Sequence, residues 1–315
     1  YKLELSRLQE NNASVIKLSK ILLPKVRTGP WRPLAFHVFS SLGLYRAQKH
    51  DLHKAEKYYR EALCLCPDHE MTKGLMNFHL GDISYERNDL AKAREYYETA
   101  ENILSRYNWI KRQGDCNYRL GDLAWLNNEP KKAERYWQNA LQLYRKENNH
   151  RGESLIFNSW GELERMSGNY AVAENHYRKS LDLLRPIGAS FNINIYKINL
   201  GLVLLAQQKF DKSIRILEEA GHFFQTYNRV YLSKSCKFAV LLSQSALNPK
   251  KAQLELIKET LDWFPKNNAV DKDILWVCKV ASSLFYHEAL HPLRTLLEGF
   301  IDEYQDLATP AIVPQ

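Results

Sequence analysis

One pattern of small and large residues recurs five times along the 315-residue chain and limits what it can fold into. Read as glycine, small, large, small at offsets 0, 12, 16 and 19, it gives Gly43, Ala55, Tyr59, Ala62 and then Gly81, Ala93, Tyr97, Ala100. Gly121, Ala133, Trp137, Ala140 follow, then Gly161, Ala173, Tyr177, Ser180, and last Gly201, Ser213, Leu217, Ala220. Successive glycines lie 38, 40, 40 and 40 residues apart. A fixed period of this length is the mark of a repeat array.

Each unit reads as two amphipathic helices. In "SFNINIYKINLGLVLLAQQ" the apolar residues fall three and four apart, and "QKFDKSIRILEEA" resumes that spacing after a polar turn at Gln207 and Gln208. Glycine in mid-helix costs about 1 kcal/mol relative to alanine, so its return at one phase needs compensation. Close helix approach supplies it: the second helix of a hairpin crosses near the Gly121 backbone, Ala133 and Ala140 permit contact with neighbours, and Trp137 fills the space between. The segments "ERNDL", "LNNEP", "MSGNY" and "QKFD" are polar turns, with Pro130, Asn or Asp where a new helix begins.

The ends are less regular. Residues 2 to 23 read as helical, with Leu5, Leu8, Val15, Leu18, Ile21 and Leu22 as apolar candidates and a break near Asn11 and Asn12. "PKVRTGPWRP" interrupts them, because Pro24, Pro30 and Pro33 do not continue a helix interior. The division expected is therefore a cap or remnant repeat with a proline-rich linker over 1–33 and five repeats over 34–226. Two degenerate hairpins follow over 227–307, with Ala252 near the expected phase in the first, and an extended tail over 308–315. Solenoids grow by stacking, so one continuous array is expected, and terminal units lose the pattern because one face meets water. The chain begins at Tyr1, which fits an excised piece of a longer protein as well as a processed chain.

Composition excludes some classes. No run approaches the roughly 18 apolar residues of a membrane span. Cys64, Cys66, Cys116, Cys236 and Cys278 are odd in number and scattered, which argues against a disulfide framework and for reduced thiols in the cytoplasm. Cys64 and Cys66 diverge on a helix and make a poor metal pair. Asn12-Ala13-Ser14 matches a glycosylation triplet of the kind that arises by chance. The net charge is +8, but Lys54, Lys57 and Arg60, or Lys131, Lys132 and Arg135, alternate with Glu56 and Glu134 as on solvated helix faces. Nucleic acid is thus not the expected ligand, and an attraction to acidic partners remains open.

At these residues the chain resembles the tetratricopeptide family. The family's order of aromatic, Leu-Gly, Ala, aromatic, Ala and Pro is met most fully by Phe39, Leu42, Gly43, Ala55, Tyr59, Ala62 and Pro67. The forty-residue period resembles the longer-helix class of kinesin light chains and of the sensor arms of bacterial signal-transduction ATPases. The likeness covers residues 36 to 226; Leu217 and Ser213 depart from it, and no closing proline follows the later repeats. It implies an all-α fold, a right-handed superhelical solenoid of antiparallel helix hairpins, with a groove lined by the first helix of each repeat.

No catalytic constellation or cofactor motif is visible. The histidines, among them His37, His79, His176 and His291, lack metal-ligand spacing, and there is no phosphate loop or nucleophile elbow, so neither an enzyme nor a cofactor is expected. The resemblance puts positions 2, 5, 6, 9, 12 and 13 of each repeat in the groove, counting from seven residues before the glycine. Position 9 then reads Leu44, Asp82, Asp122, Glu162, Leu202, with three consecutive carboxylates. Phe78, His79 and Tyr85 join them in the second repeat, Tyr118, Arg119 and Trp125 in the third, Asn158 and Arg165 in the fourth, Ile198 and Asn199 in the fifth. The function expected is a protein-interaction scaffold gripping a partner protein or peptide, its basic groups against the carboxylates. The alternative is a ligand-sensing arm of a larger signalling or transcription-regulating protein. Against the groove stands a plainer reading in which Asp122 pairs with Arg119 three residues away and Tyr118 and Trp125 pack between repeats. The carboxylate clamp of some family members needs lysine and asparagine where Ser40 and Leu44, or Phe78 and Asp82, stand here, which disfavours a bare carboxylate terminus as ligand. Asn199 matches an asparagine that longer-repeat relatives use to bond peptide backbone.

Overall fold

From Glu70 to Val230 a helix begins every twenty residues. The computed structural model describes residues 12–27, 34–65, 69–266 and 270–306, and no strand occurs among them. In chain order the helices are α1 (Asn12–Arg27), α2 (Ala35–Gln48), α3 (Leu52–Leu65), α4 (Glu70–Glu86), α5 (Leu90–Arg106), α6 (Ile110–Leu126), α7 (Pro130–Lys146) and α8 (His150–Met166). They continue as α9 (Tyr170–Leu184), α10 (Ser190–Ala206), α11 (Phe210–Thr226), α12 (Val230–Leu247), α13 (Leu254–Lys266), α14 (Lys272–Leu284) and α15 (His291–Tyr304). After α1 the described helices form hairpins: α2/α3, α4/α5 and α6/α7 in one compact unit ending at Asn149, and α8/α9, α10/α11, α12/α13 and α14/α15 in another starting at His150.

The forty-residue period is two helices of 17 residues, each closed by a three-residue turn. The turn has one conformation: Asn88, Asn108, Asn128, Asn148, Gly168, Gly188, Gln208 and Asn228, twenty residues apart, all have positive φ between 50° and 80°. Asparagine and glycine tolerate this left-handed region best. It lets the backbone cap itself: Asn128 N donates to Trp125 O and Glu129 N to Ala124 O, both at 2.9 Å, so the last carbonyls of α6 are satisfied.

Within the hairpin of each repeat the glycine makes room for one large side chain, a ring in every repeat but the fifth. A Cβ on Gly81 would lie 2.6 Å from the Tyr97 ring, on Gly121 2.4 Å from Trp137, on Gly161 2.5 Å from Tyr177 and on Gly201 2.6 Å from Leu217. The alanines at offset 12, Ala55, Ala93, Ala133 and Ala173, are fully buried. The serines that replace alanine fit for a chemical reason: Ser213 donates to the Gly201 carbonyl at 2.8 Å and Ser180 to the Ser154 carbonyl at 2.9 Å, each on the opposite helix. A second set of glycines also serves packing, since a Cβ on Gly74 would meet Leu104 and one on Gly114 would meet Tyr144.

One expectation fails. Pro24 does not end its helix but lies inside α1, which runs on to Arg27. It sits in the last turn, where few residues follow the hydrogen bond it removes, and the full interior penalty of about 3 kcal/mol does not apply. Leu5, Leu8, Pro30, Pro33, Cys66, Pro67 and the 308–315 tail lie outside the described residues, as do the side chains of Val15 and of the Asn12–Ser14 triplet. Lys54, Lys57, Arg60, Lys131, Lys132 and Arg135 are exposed, as solvated helix faces require. Cys64 is a free, exposed thiol; Cys116, Cys236 and Cys278 are free and buried, and burial pushes their pKa values up.

Candidate functional site

The three carboxylates of position 9 each accept a hydrogen bond from the ring fifteen residues on. Tyr97 donates to Asp82 at 2.8 Å, Trp137 Nε1 to Asp122 at 3.2 Å and Tyr177 to Glu162 at 2.6 Å. The same ring that fills the glycine's space therefore brings a polar edge to the first helix of its hairpin. Leu217 in the fifth repeat has no such donor, and position 9 there is the buried, apolar Leu202.

In the first unit these acids form a charged line across α4 and α6. Arg119 Nε lies 3.1 Å from Asp82, and its Nη1 lies 3.9 Å from Asp122. The guanidinium also stands 5.8 Å from the ring centroids of both Tyr85 and Tyr118. His79 Nδ1 is 3.8 Å from Asp82, and its ring stacks on Tyr59 at 4.9 Å. The acids differ in their proton affinity. Burial alone would raise the Asp82 carboxyl, but Arg119, His79 and Tyr97 outweigh it and hold it below the usual carboxylate range. Burial wins at Asp122, whose pKa rises to about 7 in spite of Arg119 and Trp137. Burial, with the Asp82 charge nearby, also raises Glu86. A further acid reinforces the group: Asp115 accepts from Tyr144 and from Arg112, each at 2.9 Å.

The second unit has a comparable cluster with a different third member. Arg165 on α8, only 2% exposed, donates to Glu162 and to Asp273 at the start of α14. The Trp276 ring of α14 lies 4.5 Å from the guanidinium and packs edge-on against Tyr170. Tyr231 of α12 donates to Asp271 beside it. Arg165 Nε and Nη1 are buried with no acceptor among the described residues. Asn199 Nδ2 donates to Asn158 Oδ1 at 2.9 Å, joining α10 to α8.

The candidate residues thus divide. Asp82, Tyr85, Tyr118, Arg119 and Asp122 come together in the first unit, and Glu162 and Arg165 in the second. Trp125 is half-buried in the last turn of α6. Phe78, Asn158 and Ile198 are 6%, 7% and 8% exposed and belong largely to the interior. Sequence reasoning missed Asp115, whose signal was the forty-residue spacing of Gly74 and Gly114, the second of which admits Tyr144. It also missed Asp271, Asp273 and Trp276, which no local spacing marks.

The tetratricopeptide repeat model matches residues 115–185. No curated protein sequence matches the chain. Among solved structures, the Rap conjugation gene regulator of the plasmid pLS20 in complex with the Phr* peptide has 15% identity and a TM-score of 0.64, covering 86% of this chain and 75% of that one. Aspartyl phosphate phosphatase F from Bacillus subtilis has 12% identity and a TM-score of 0.68, with coverages of 95% and 78%. A signal transduction ATPase with a tetratricopeptide repeat sensor from Pyrococcus horikoshii has 14% identity and a TM-score of 0.59, with coverages of 98% and 48%. Similarity at these identities is a similarity of fold. Residues 115–185 are therefore tetratricopeptide repeats; the hairpins of Gly43, Gly81 and Gly201 share their packing rule, and the fold is the helical-repeat fold of these neighbours.

Proposed function

We propose that this chain is a non-catalytic interaction module whose first helices bind a protein or peptide segment with basic groups. One observation carries the reading. Repeats one and five hold leucine at position 9, Leu44 and Leu202, so the hairpin needs no charge there. Repeats two to four bury carboxylates and arginines at and near that position, although a buried ion pair is commonly no more stabilising than apolar packing. Charge that folding does not need is available for recognition. Asp82 balances Arg119, and Asp122, whose pKa is about 7, adds a partial negative charge at neutral pH that becomes a full one above it, beside the half-buried rings of Tyr85, Tyr118 and Trp125. A lysine or arginine side chain suits that surface. The neighbour bound to a peptide supports the ligand class.

The test is a fluorescent decapeptide library probed with wild type and with Asp82→Asn/Asp122→Asn. Enrichment of lysine- or arginine-rich peptides, with Kd at least tenfold weaker in the variant, is expected. No enriched peptide, or unchanged affinity, overturns the reading. Release of inorganic phosphate from an aspartyl-phosphate substrate above the buffer rate would overturn its non-catalytic part, which matters because one neighbour is a phosphatase. A cytoplasmic setting belongs to the same proposal: no helix among the described residues is long and apolar enough to cross a membrane, and free thiols suit a reducing compartment.

A second reading, a ligand-sensing arm, is favoured by Arg165. Its Nε and Nη1 are donors with no acceptor among the described residues, which a ligand oxygen would satisfy, and Asp273 and Trp276 tie the same side chain to α14. A thermal-shift screen of amino acids and dicarboxylates should find a compound that raises Tm in wild type and not in Arg165→Gln. A screen with no such compound removes this reading.

A further inference from the structure

Between α11 and α12 lies a cavity of about 530 Å³, within the range of small-molecule sites. Leu217, Gly221, Cys236 and Val240 make its apolar wall, and His222, Gln225, Ser233, Lys234 and Lys237 line the rest.

The repeat itself shows why the space is open. Forty and eighty residues before Gly221 stand Leu181 and Leu141, both buried at 4% and 6% exposure. In the fifth repeat that leucine is missing, and a Cβ on Gly221 would already lie 3.0 Å from the Cys236 Cβ. The opposite wall changes in the other direction. Lys234 occupies the place held by Gly74, Gly114, Ser154 and Asn194 in the earlier repeats. A filler is lost on one helix while a long cation is gained on the other.

The lining is also charged in one sense. Lys234, Lys237 and Arg229 contribute three cations against the single carboxylate of Glu218. Among the described residues no acid pairs with any of the three, and α12 contains no Asp or Glu. Lys234 instead approaches the Trp263 ring at 6.0 Å and Arg229 the Phe191 ring at 5.7 Å. Cations without a counter-charge beside an apolar hollow favour an anion that carries an apolar body.

We propose that this cavity binds a small organic anion. Its acidic group meets Lys234 and Lys237, and its apolar body lies over Gly221 against Leu217, Cys236 and Val240. The site uses none of the residues of the Asp82–Arg119–Asp122 or Glu162–Arg165–Asp273 clusters, so its fate is independent of the peptide reading.

The probe is 8-anilinonaphthalene-1-sulfonate, a sulfonate on an aromatic body, titrated by fluorescence against the full chain at low and moderate salt. Saturable binding at one site is expected, with Kd rising at least tenfold in Lys234→Gln/Lys237→Gln and its salt dependence flattening. Gly221→Leu, which restores the residue of the preceding repeat, should abolish binding. If that variant fails to fold against Cys236, the double lysine variant decides alone. Absence of saturable binding in wild type, or a Kd unchanged within twofold in the lysine variant, overturns the proposal.

Discussion

Tyr97 lies over Gly81 and donates its hydroxyl to Asp82, so a single side chain both plugs the hairpin and fixes the carboxylate beside the glycine. Trp137 repeats this over Gly121 and Asp122, and Tyr177 over Gly161 and Glu162. The packing rule and the candidate recognition surface are thereby one piece of geometry.

The ring needs the glycine's space. Gly121→Ala would put a Cβ 2.4 Å from Trp137, and such overpacking should cost about 1–3 kcal/mol. Gly299, in α15, has no atom within 4 Å of an added Cβ. Gly299→Ala should therefore stabilise by about 0.5–1 kcal/mol through helix propensity. Urea denaturation of the two variants gives the comparison; equal effects would contradict the packing account.

The turn makes a separate prediction at Gln208, which holds φ of 58° where most equivalent positions have asparagine or glycine. A non-glycine residue in this region costs about 1 kcal/mol or more. Gln208→Gly should raise Tm by an amount equivalent to roughly 0.5–1 kcal/mol, while Asn128→Ala should lower it. A fall in Tm for Gln208→Gly would mean that the turn is not the limiting strain.

Stability should depend on pH through Asp122 with an unusual sign. Its folded pKa of about 7 lies above the ordinary 3.8, so the folded state holds a proton that the unfolded state has lost between these values. This contribution is fully present near pH 4 and disappears as pH rises through 7. Asp122→Asn removes the dependence and should gain about 2 kcal/mol over wild type at pH 8, a figure reduced from the full shift because 15% of the side chain meets solvent. Asp82 has the opposite sign: its pKa is depressed, so its contribution is present above 3.8 and is lost as pH falls through its folded value. Denaturation of wild type and both asparagine variants at pH 8, at pH 5 and below pH 3.8 separates the two.

Arg165 should hold the start of α14 in place. Asp273→Ala removes one of its two carboxylates and leaves a buried guanidinium less compensated. Hydrogen exchange in residues 272–284 should become at least tenfold faster, with the α10/α11 hairpin unchanged. Unaltered exchange in α14 would show that the pair does not hold the helix.

The hairpins were legible because small residues and turn asparagines recur at fixed offsets along a single strand of text. Ser213 read as a departure and Ser180 as one more small residue, and only the opposing carbonyls explain both. The Asp82–Tyr97 pairing was less legible, although Leu202 and Leu217 occupy the same two positions in an apolar version. Spacing gives a residue's place on a helix but not where its polar edge points. Asp273 meets Arg165 across 108 positions, a distance over which no periodic signal runs. Pro24 was misread because a proline's effect depends on how much helix follows it.

The claim that the inner charges serve binding and not folding is tested most directly by neutralising the first cluster while keeping its hydrogen bonds. The measurement is the affinity of Asp82→Asn/Arg119→Gln/Asp122→Asn for the basic decapeptides that bind wild type, taken with its urea midpoint. The account predicts a midpoint no lower than that of wild type and affinity lost by at least tenfold. A variant that binds as wild type does, or one that unfolds in the absence of urea, would contradict it.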